Sequence, residues 1–308
     1  MDLASRFNPS ELSGNDAPSA DGASIAPRQH NVQCLGPGGL HRMVYTEWGA
    51  PENEDVVICV HGLTRNGRDF DYLARALSDR FRVVCPDVVG RGLSDWLQDK
   101  QGYVFPTYLA DMVTLLARLN VRSVSWVGTS MGGVIGMMLA GLRDTPIQRL
   151  VLNDMGPVIT PESLKRIGEH VGRAPVFPTV TEAEAWLREV CAPFGRLSDV
   201  QWQHLTRHSI VPVKGGYRMR YDPAIGDVFR TMPLDKPIDL WEGYRAVRCP
   251  TLAIRGELSD LLPRDALARM ALEGPRAKTV EIKGVGHAPT LMEPEQISIV
   301  RDFLLESV

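Results

Sequence analysis

The sequence predicts an α/β fold: a mostly parallel central sheet flanked by helices, with a helical insertion late in the chain. Three observations carry that prediction. Short apolar runs bounded by turn residues alternate with segments of helical periodicity. One alternation, around residues 124–139, passes from strand through a sharp turn into a helix with no linker, and the pattern lapses between 158 and 239 before resuming. With 308 residues, 44% of them hydrophobic, the chain can bury a core of the required size.

The elements follow in order. Residues 1–28 are rich in Ser, Ala, Asp, Pro and Gly and read as a mobile tail without an apolar run suited to a signal peptide or a membrane span. Residues 31–35 and 41–48 read as a hairpin around Gly36-Pro37-Gly38-Gly39, a cluster with no Lys-Ser/Thr behind it and hence no phosphate loop. The continuous apolar run 56–60 fits a strand covered on both faces. Phe70, Leu73, Ala74 and Leu77 share a helical face, and 81–85 is the next strand. Tyr108, Met112, Leu115, Leu116 and Leu119 mark a second amphipathic helix, leading into the strand 124–127. Another strand covers 150–152. The lapse that follows holds helix-like segments at 162–171, 181–191 and 200–210, then strands return at 251–254 and 279–282 and a last helix at 294–305.

The turn between 124–127 and its helix is Gly128-Thr129-Ser130-Met131-Gly132. Glycines flanking Ser130 remove side chains that would clash if the serine were held in a strained conformation with its hydroxyl exposed above the strand. The helix behind it, apolar nearly all round, would aim its positive end at that hydroxyl. A serine becomes a nucleophile only when a base takes its proton and an acid orients that base. His287, in Gly284-Val285-Gly286-His287 after a late strand, is placed for the base, and Asp260, in the loop 256–262, is one of the carboxylates that could serve as the acid. Asp154, beside Gly156-Pro157, is the alternative acid, and Glu257 is a third.

These residues resemble the α/β-hydrolase family, in which a G-x-S-x-G turn joins strand to helix and the triad runs Ser, acid, His, and whose commoner acid position falls on Asp260 rather than Asp154. The resemblance extends from about residue 32 to the C-terminus and includes His61-Gly62 after the strand 56–60 and Asp87-Val88-Val89-Gly90-Arg91-Gly92-Leu93-Ser94 after 81–85. It implies an oxyanion hole from the backbone N–H groups of Leu63 and Met131, structural roles for His61 and Asp87, and a helical cap over the pocket. The implied organisation is a core of 29–156 and 240–308 with a cap at 157–239. Arg65 and Asn66 could edge the site or simply face water, and solvent is the expectation. Cap cations, among them Lys165, Arg166, Arg173, Arg188 and Arg220, could draw in a carboxylate substrate or simply coat solvated helix faces.

Function narrows accordingly. A formal charge of -3 from 34 basic and 37 acidic residues gives no global field for nucleic acid or an anionic membrane. The five cysteines lack metal-ligand spacing and read as free thiols in a reducing cytoplasm. The expectation is a cytoplasmic serine esterase acting on a small or medium carboxylic ester, a small-molecule partner, with no cofactor and no metal. The resemblance also implies an alternative, hydrolysis of a carbon–carbon bond in a dienoic keto acid, and the fold hosts small-molecule receptors that do not turn over. Ser130 in the nucleophile position argues against the aspartate-based dehalogenases and epoxide hydrolases. A dinucleotide site needs G-x-G-x-x-G, and Gly128-Thr-Ser-Met-Gly-Gly has the wrong spacing.

Overall fold

The computed structural model describes residues 26–231 and 235–306. Most of the stretch read as an N-terminal tail lies outside them, and Arg28, its last residue, already belongs to the first strand. The chain runs β1 (Arg28–Gly36), β2 (Gly39–Trp48), β3 (Val56–Val60), α1 (Asp71–Leu77), β4 (Arg82–Pro86), α2 (Phe105–Leu119), β5 (Val124–Thr129), α3 (Met131–Ala140) and β6 (Ile147–Asn153). An inserted segment follows: β7 (Val158–Ile159), α4 (Pro161–His170), β8 (Val176–Phe177), α5 (Val180–Val190), α6 (Asp199–Ser209), β9 (Ile210–Val213), β10 (Gly216–Met219), α7 (Asp227–Thr231) and β11 (Ile238–Asp239). The remainder is α8 (Trp241–Ala246), β12 (Thr251–Gly256), α9 (Arg264–Met270), β13 (Lys278–Ile282) and α10 (Pro294–Leu305).

Eight strands form one sheet in the order β1-β2-β4-β3-β5-β6-β12-β13. The hairpin β1–β2 joins antiparallel at one edge, and from β4 to β13 every neighbour is parallel. The continuous apolar run of β3 has the predicted cause, since all five of its residues are buried between helices on both faces. One large core cluster, including Ile58, Trp126, Ile135 and Leu152, fills one side. The other side packs Val57, Val127 and Ile254 against α1 and α10. The edge hairpin is tied to α2 by buried His41, whose Nε2 lies 2.9 and 3.0 Å from the two carboxylate oxygens of Asp111.

The inserted segment departs from the sequence expectation in one respect. Besides its helices it contains a three-stranded antiparallel sheet, β8-β10-β9, of strands two to four residues long, too short to show a period of two. Its two ends meet where β7 pairs with β11, Ile159 opposite Ile238. It is fastened to the sheet-bearing part by several hydrogen bonds. Gly286 N–H donates to Pro193 O at 2.7 Å, Ser163 Oγ to Asp260 O at 2.8 Å, and Asn66 Nδ2 to His208 O at 3.2 Å. Among the described residues no helix is long and apolar enough to cross a membrane.

Candidate active site

Ser130 stands between β5 and α3 with φ 52° and ψ −115°, a conformation rare for a residue with a side chain. The chain holds it there because its neighbours leave no room to relax. A Cβ on Gly128 would lie 2.3 Å from Gly132 O, and one on Gly132 would lie 2.0 Å from Val60 O. The two glycines therefore let the first turn of α3 press against β3 and β5. Ser130 N–H donates to Asn153 O at 3.0 Å, which locks the turn to the next strand.

His287 reaches over from the loop after β13, and its Nε2 lies 3.0 Å from Ser130 Oγ. Its Nδ1 lies 2.7 Å from Oδ2 of Asp154. Asp154, fully buried at the end of β6, also accepts from Gly256 N–H at 2.8 Å and from Ser259 Oγ at 2.6 Å. Hydroxyl, imidazole and carboxylate thus form one continuous hydrogen-bonded chain. A carboxylate that accepts on Nδ1 leaves the Nε2 lone pair facing the serine, the arrangement general-base catalysis needs.

The preference for Asp260 over Asp154 is corrected by this geometry. Asp260 is half-exposed and pairs with Arg166 of α4, Nη2 to Oδ1 at 3.0 Å, so its carboxylate ties the insertion to the rim of the site. Glu257 instead accepts from Gly284 N–H at 2.8 Å. The deciding feature is register: β6 and β12 are adjacent and parallel with Asn153 opposite Ile254, so two loops end side by side and Asp154 is the one whose backbone, at φ 51°, turns its side chain inward. Asp tolerates that left-handed conformation better than most residues.

Leu63 and Met131 both line the cavity at Ser130, and neither N–H has a hydrogen-bond partner among the described residues. Arg91 helps to fix this wall and was missed by sequence reading, which saw it only as part of a glycine loop. It is fully buried without a carboxylate, donating from Nε to Leu63 O at 2.8 Å and from Nη1 to Val89 O at 2.7 Å, with Tyr108 beneath its guanidinium at 4.9 Å. His61 is structural: its Nδ1–H donates to Gly62 O at 2.7 Å, and its Nε2 accepts from Val88 N–H at 3.0 Å. Burial lowers its pKa to about 3, so the ring stays neutral. Asp87 is structural too, taking Gly67 and Leu93 N–H on its two oxygens at 2.7 Å each. Burial pushes its pKa up to about 6. Arg65 and Asn66, expected in solvent, are buried; the loop folds inward beneath the insertion, and Asn66 caps the turn at Gly67–Phe70.

Over Ser130 lies a cavity of about 510 Å³, roofed by α4, the end of α5 and α7 and walled mainly by apolar groups such as Leu164, Ile167, Phe194 and Val228. Cys191 is in its lining, but burial raises the thiol to about 11, so it is neutral at pH 7 and no rival nucleophile. Of the cations in the insertion, Arg166 reaches the cavity, whereas Arg188 bonds Glu184 and Asp199 and Arg220 bonds Ile210 O.

A fold of this topology with this site defines a class, and comparison with known proteins agrees. The family model for the alpha/beta hydrolase fold matches residues 55–171. The chain is 48% identical over 288 residues to the 3-hydroxybutyrate-oligomer hydrolase of Cupriavidus necator, covering 91% of this chain and 98% of that one. It is 28% identical over 245 residues to the 2-(acetamidomethylene)succinate hydrolase of Mesorhizobium japonicum, covering 78% and 84%. An alpha/beta hydrolase from Novosphingobium aromaticivorans superposes with a TM-score of 0.79 at 34% identity, covering 92% of this chain and 99% of that one. The protein belongs to the α/β-hydrolase family.

Proposed function

We propose that the protein is a serine hydrolase that cleaves short esters of hydroxy acids, with 3-hydroxybutyrate oligomers as the leading substrate class. The observation that carries the reading is the Ser130–His287–Asp154 chain, at 3.0 and 2.7 Å, under an apolar cavity of about 510 Å³. The substrate class is suggested by the relative from Cupriavidus necator, and the cavity is large enough for more than one four-carbon unit.

In this reading Ser130 Oγ attacks the ester carbonyl while His287 Nε2 takes its proton, and Asp154 stabilises the imidazolium that results. The N–H groups of Leu63 and Met131 receive the negative charge on the carbonyl oxygen, aided by the N-terminal end of α3. The carbon–oxygen bond to the alcohol breaks as His287 returns the proton to it. Water, deprotonated by His287, then attacks the acyl-Ser130 ester and releases the acid. Residues 157–239 act as a cap that shields these steps from bulk water, its two ends joined by the β7–β11 pair. No cofactor enters the scheme. The five cysteines stand as free thiols, which fits a cytoplasmic location.

The reading is tested by incubating the enzyme with the 3-hydroxybutyrate dimer and trimer and with p-nitrophenyl butyrate, alongside Ser130→Ala. Release of 3-hydroxybutyrate by the wild type and not by the variant is the expected result. Turnover surviving in Ser130→Ala, or none in the wild type on any ester, would overturn it and bring forward the carbon–carbon hydrolase and receptor alternatives.

A further inference from the structure

We propose that Arg65 sets the specificity of this site by selecting esters that carry a carboxylate close to the scissile bond. The inference rests on the ester-hydrolase reading above and names the chemistry the substrate must have beyond the ester itself. Arg65 lies two residues beyond Leu63 and lines the same cavity as Ser130. Gly62 lies near the roots of both side chains: a Cβ there would meet Ser130 Cβ at 3.7 Å and Arg65 Cγ at 3.8 Å.

The guanidinium is held with one edge occupied and one edge open. Nε donates to Asp69 Oδ2 and Nη2 to Asp69 Oδ1, each at 2.7 Å, and the Phe194 ring lies 6.0 Å from Cζ. Nη1 makes no hydrogen bond among the described residues. The residue is only 8% exposed and lines the cavity, so this edge opens onto the cavity at Ser130. Asp69 balances the charge, and the open edge is a donor that an acceptor on the substrate can take. The planar fork of arginine suits a planar or tetrahedral oxyanion, and a carboxylate is the one that a hydroxy-acid ester carries.

Asp69 is the positioning residue in this scheme. Its two bonds freeze the fork, so the substrate meets a donor already in place and little rotamer freedom is lost on binding. The geometry also matches the chemistry of a hydroxy-acid ester. When the leaving alcohol is a 3-hydroxy acid, its carboxylate carbon is two bonds from the carbon bearing the ester oxygen, and so lies close to the scissile bond. Arg166 is a poorer candidate, because its side chain is 38% exposed, against 10% for Arg65, and sits with half-exposed Asp260 at the rim, where solvent screens its charge.

The test compares two substrates with the same scissile ester: the 3-hydroxybutyrate dimer and its primary amide, in which the carboxylate is neutral. A charge-assisted hydrogen bond contributes about 1.5–3 kcal/mol, roughly a 10- to 100-fold effect. The wild type should favour the acid by that factor in kcat/KM. Arg65→Met should lose it on the acid while changing the amide less than about threefold, and Asp69→Asn should cause a smaller loss, again on the acid alone. The double variant Arg65→Met/Asp69→Leu, which leaves no buried charge behind, serves if the single variant does not fold. Equal losses on both substrates, or a wild type indifferent to the carboxylate, would overturn the role of Arg65 while leaving ester hydrolysis intact. Hydrolysis of the amide that persists in Ser130→Ala would instead sink the underlying reading.

Discussion

Replacing Asp154 with Asn tests the acid assignment at a single atom. The carboxylate accepts three hydrogen bonds, from Gly256 N–H, Ser259 Oγ and His287 Nδ1, and is fully buried. An Asn of the same shape can keep its carbonyl oxygen on Gly256 N–H. Its amide nitrogen then faces Ser259 Oγ, whose lone pairs already accept Leu261 and Leu262 N–H at 3.2 Å each, and His287 Nδ1, which must give up its proton to accept. The imidazole is thereby forced into the tautomer that presents Nε2–H to Ser130 and cannot take the serine proton. The expected loss in kcat is on the order of 10⁴, about 5.5 kcal/mol of transition-state stabilisation, with the fold retained. Asp260→Asn removes only a half-exposed pair with Arg166, and its effect should stay within about threefold. Steady-state hydrolysis of p-nitrophenyl butyrate, with near-ultraviolet circular dichroism as the control for folding, reads both. A crippled Asp260→Asn beside an active Asp154→Asn would refute the reasoning.

Three further outcomes follow from the geometry. Gly132→Ala should prevent folding or cost several kcal/mol, because its Cβ would lie 2.0 Å from Val60 O. Gly243→Ala in α8, where a Cβ meets nothing within 4 Å, should be neutral or stabilise by about 0.5–1 kcal/mol; thermal unfolding of the pair measures the contrast. The third concerns pH. His61 is held neutral in the folded state down to about pH 3, whereas an unfolded histidine takes its proton near 6.5, so its contribution to stability is complete above 6.5 and declines as pH falls toward 3. Asp87 acts in the opposite sense, since its folded pKa of about 6 lies above the usual carboxylate value and folding gains as pH falls through that window. His61→Gln should therefore lose a slope of about 1.4 kcal/mol per pH unit between pH 4 and 6 relative to the wild type, measured by urea unfolding at each pH. Parallel curves for the two proteins would show that His61 is not neutral in the folded state.

Much of the sheet was legible because buried parallel strands write themselves as uninterrupted apolar runs. Val56–Val60 was bounded correctly to the residue, and the strand–turn–helix at Ser130 follows from glycines whose absent side chains the packing requires. Helices such as Pro294–Leu305 were legible through their spacing. What the sequence withheld depends on register and on long-range burial. Asp154 and Asp260 both follow strands, and only the side-by-side placement of β6 and β12 shows which carboxylate turns toward His287. Arg65 reads as a solvent-facing arginine in the sequence and Arg91 only as part of a glycine loop; they are buried because residues from the insertion and from α2 close over them. The short strands of the insertion leave no periodic trace at all.

The central claim is that Ser130 carries the reacting bond, and covalent trapping tests it most directly. The protein would be treated with a p-nitrophenyl phosphonate, an ester analogue that transfers to an activated serine, and the labelled peptide identified by mass spectrometry. One label per chain, mapped to Ser130 and abolished in His287→Gln, is the expected result. Labelling at another residue, or ester turnover that continues in chains fully blocked at Ser130, would contradict the account.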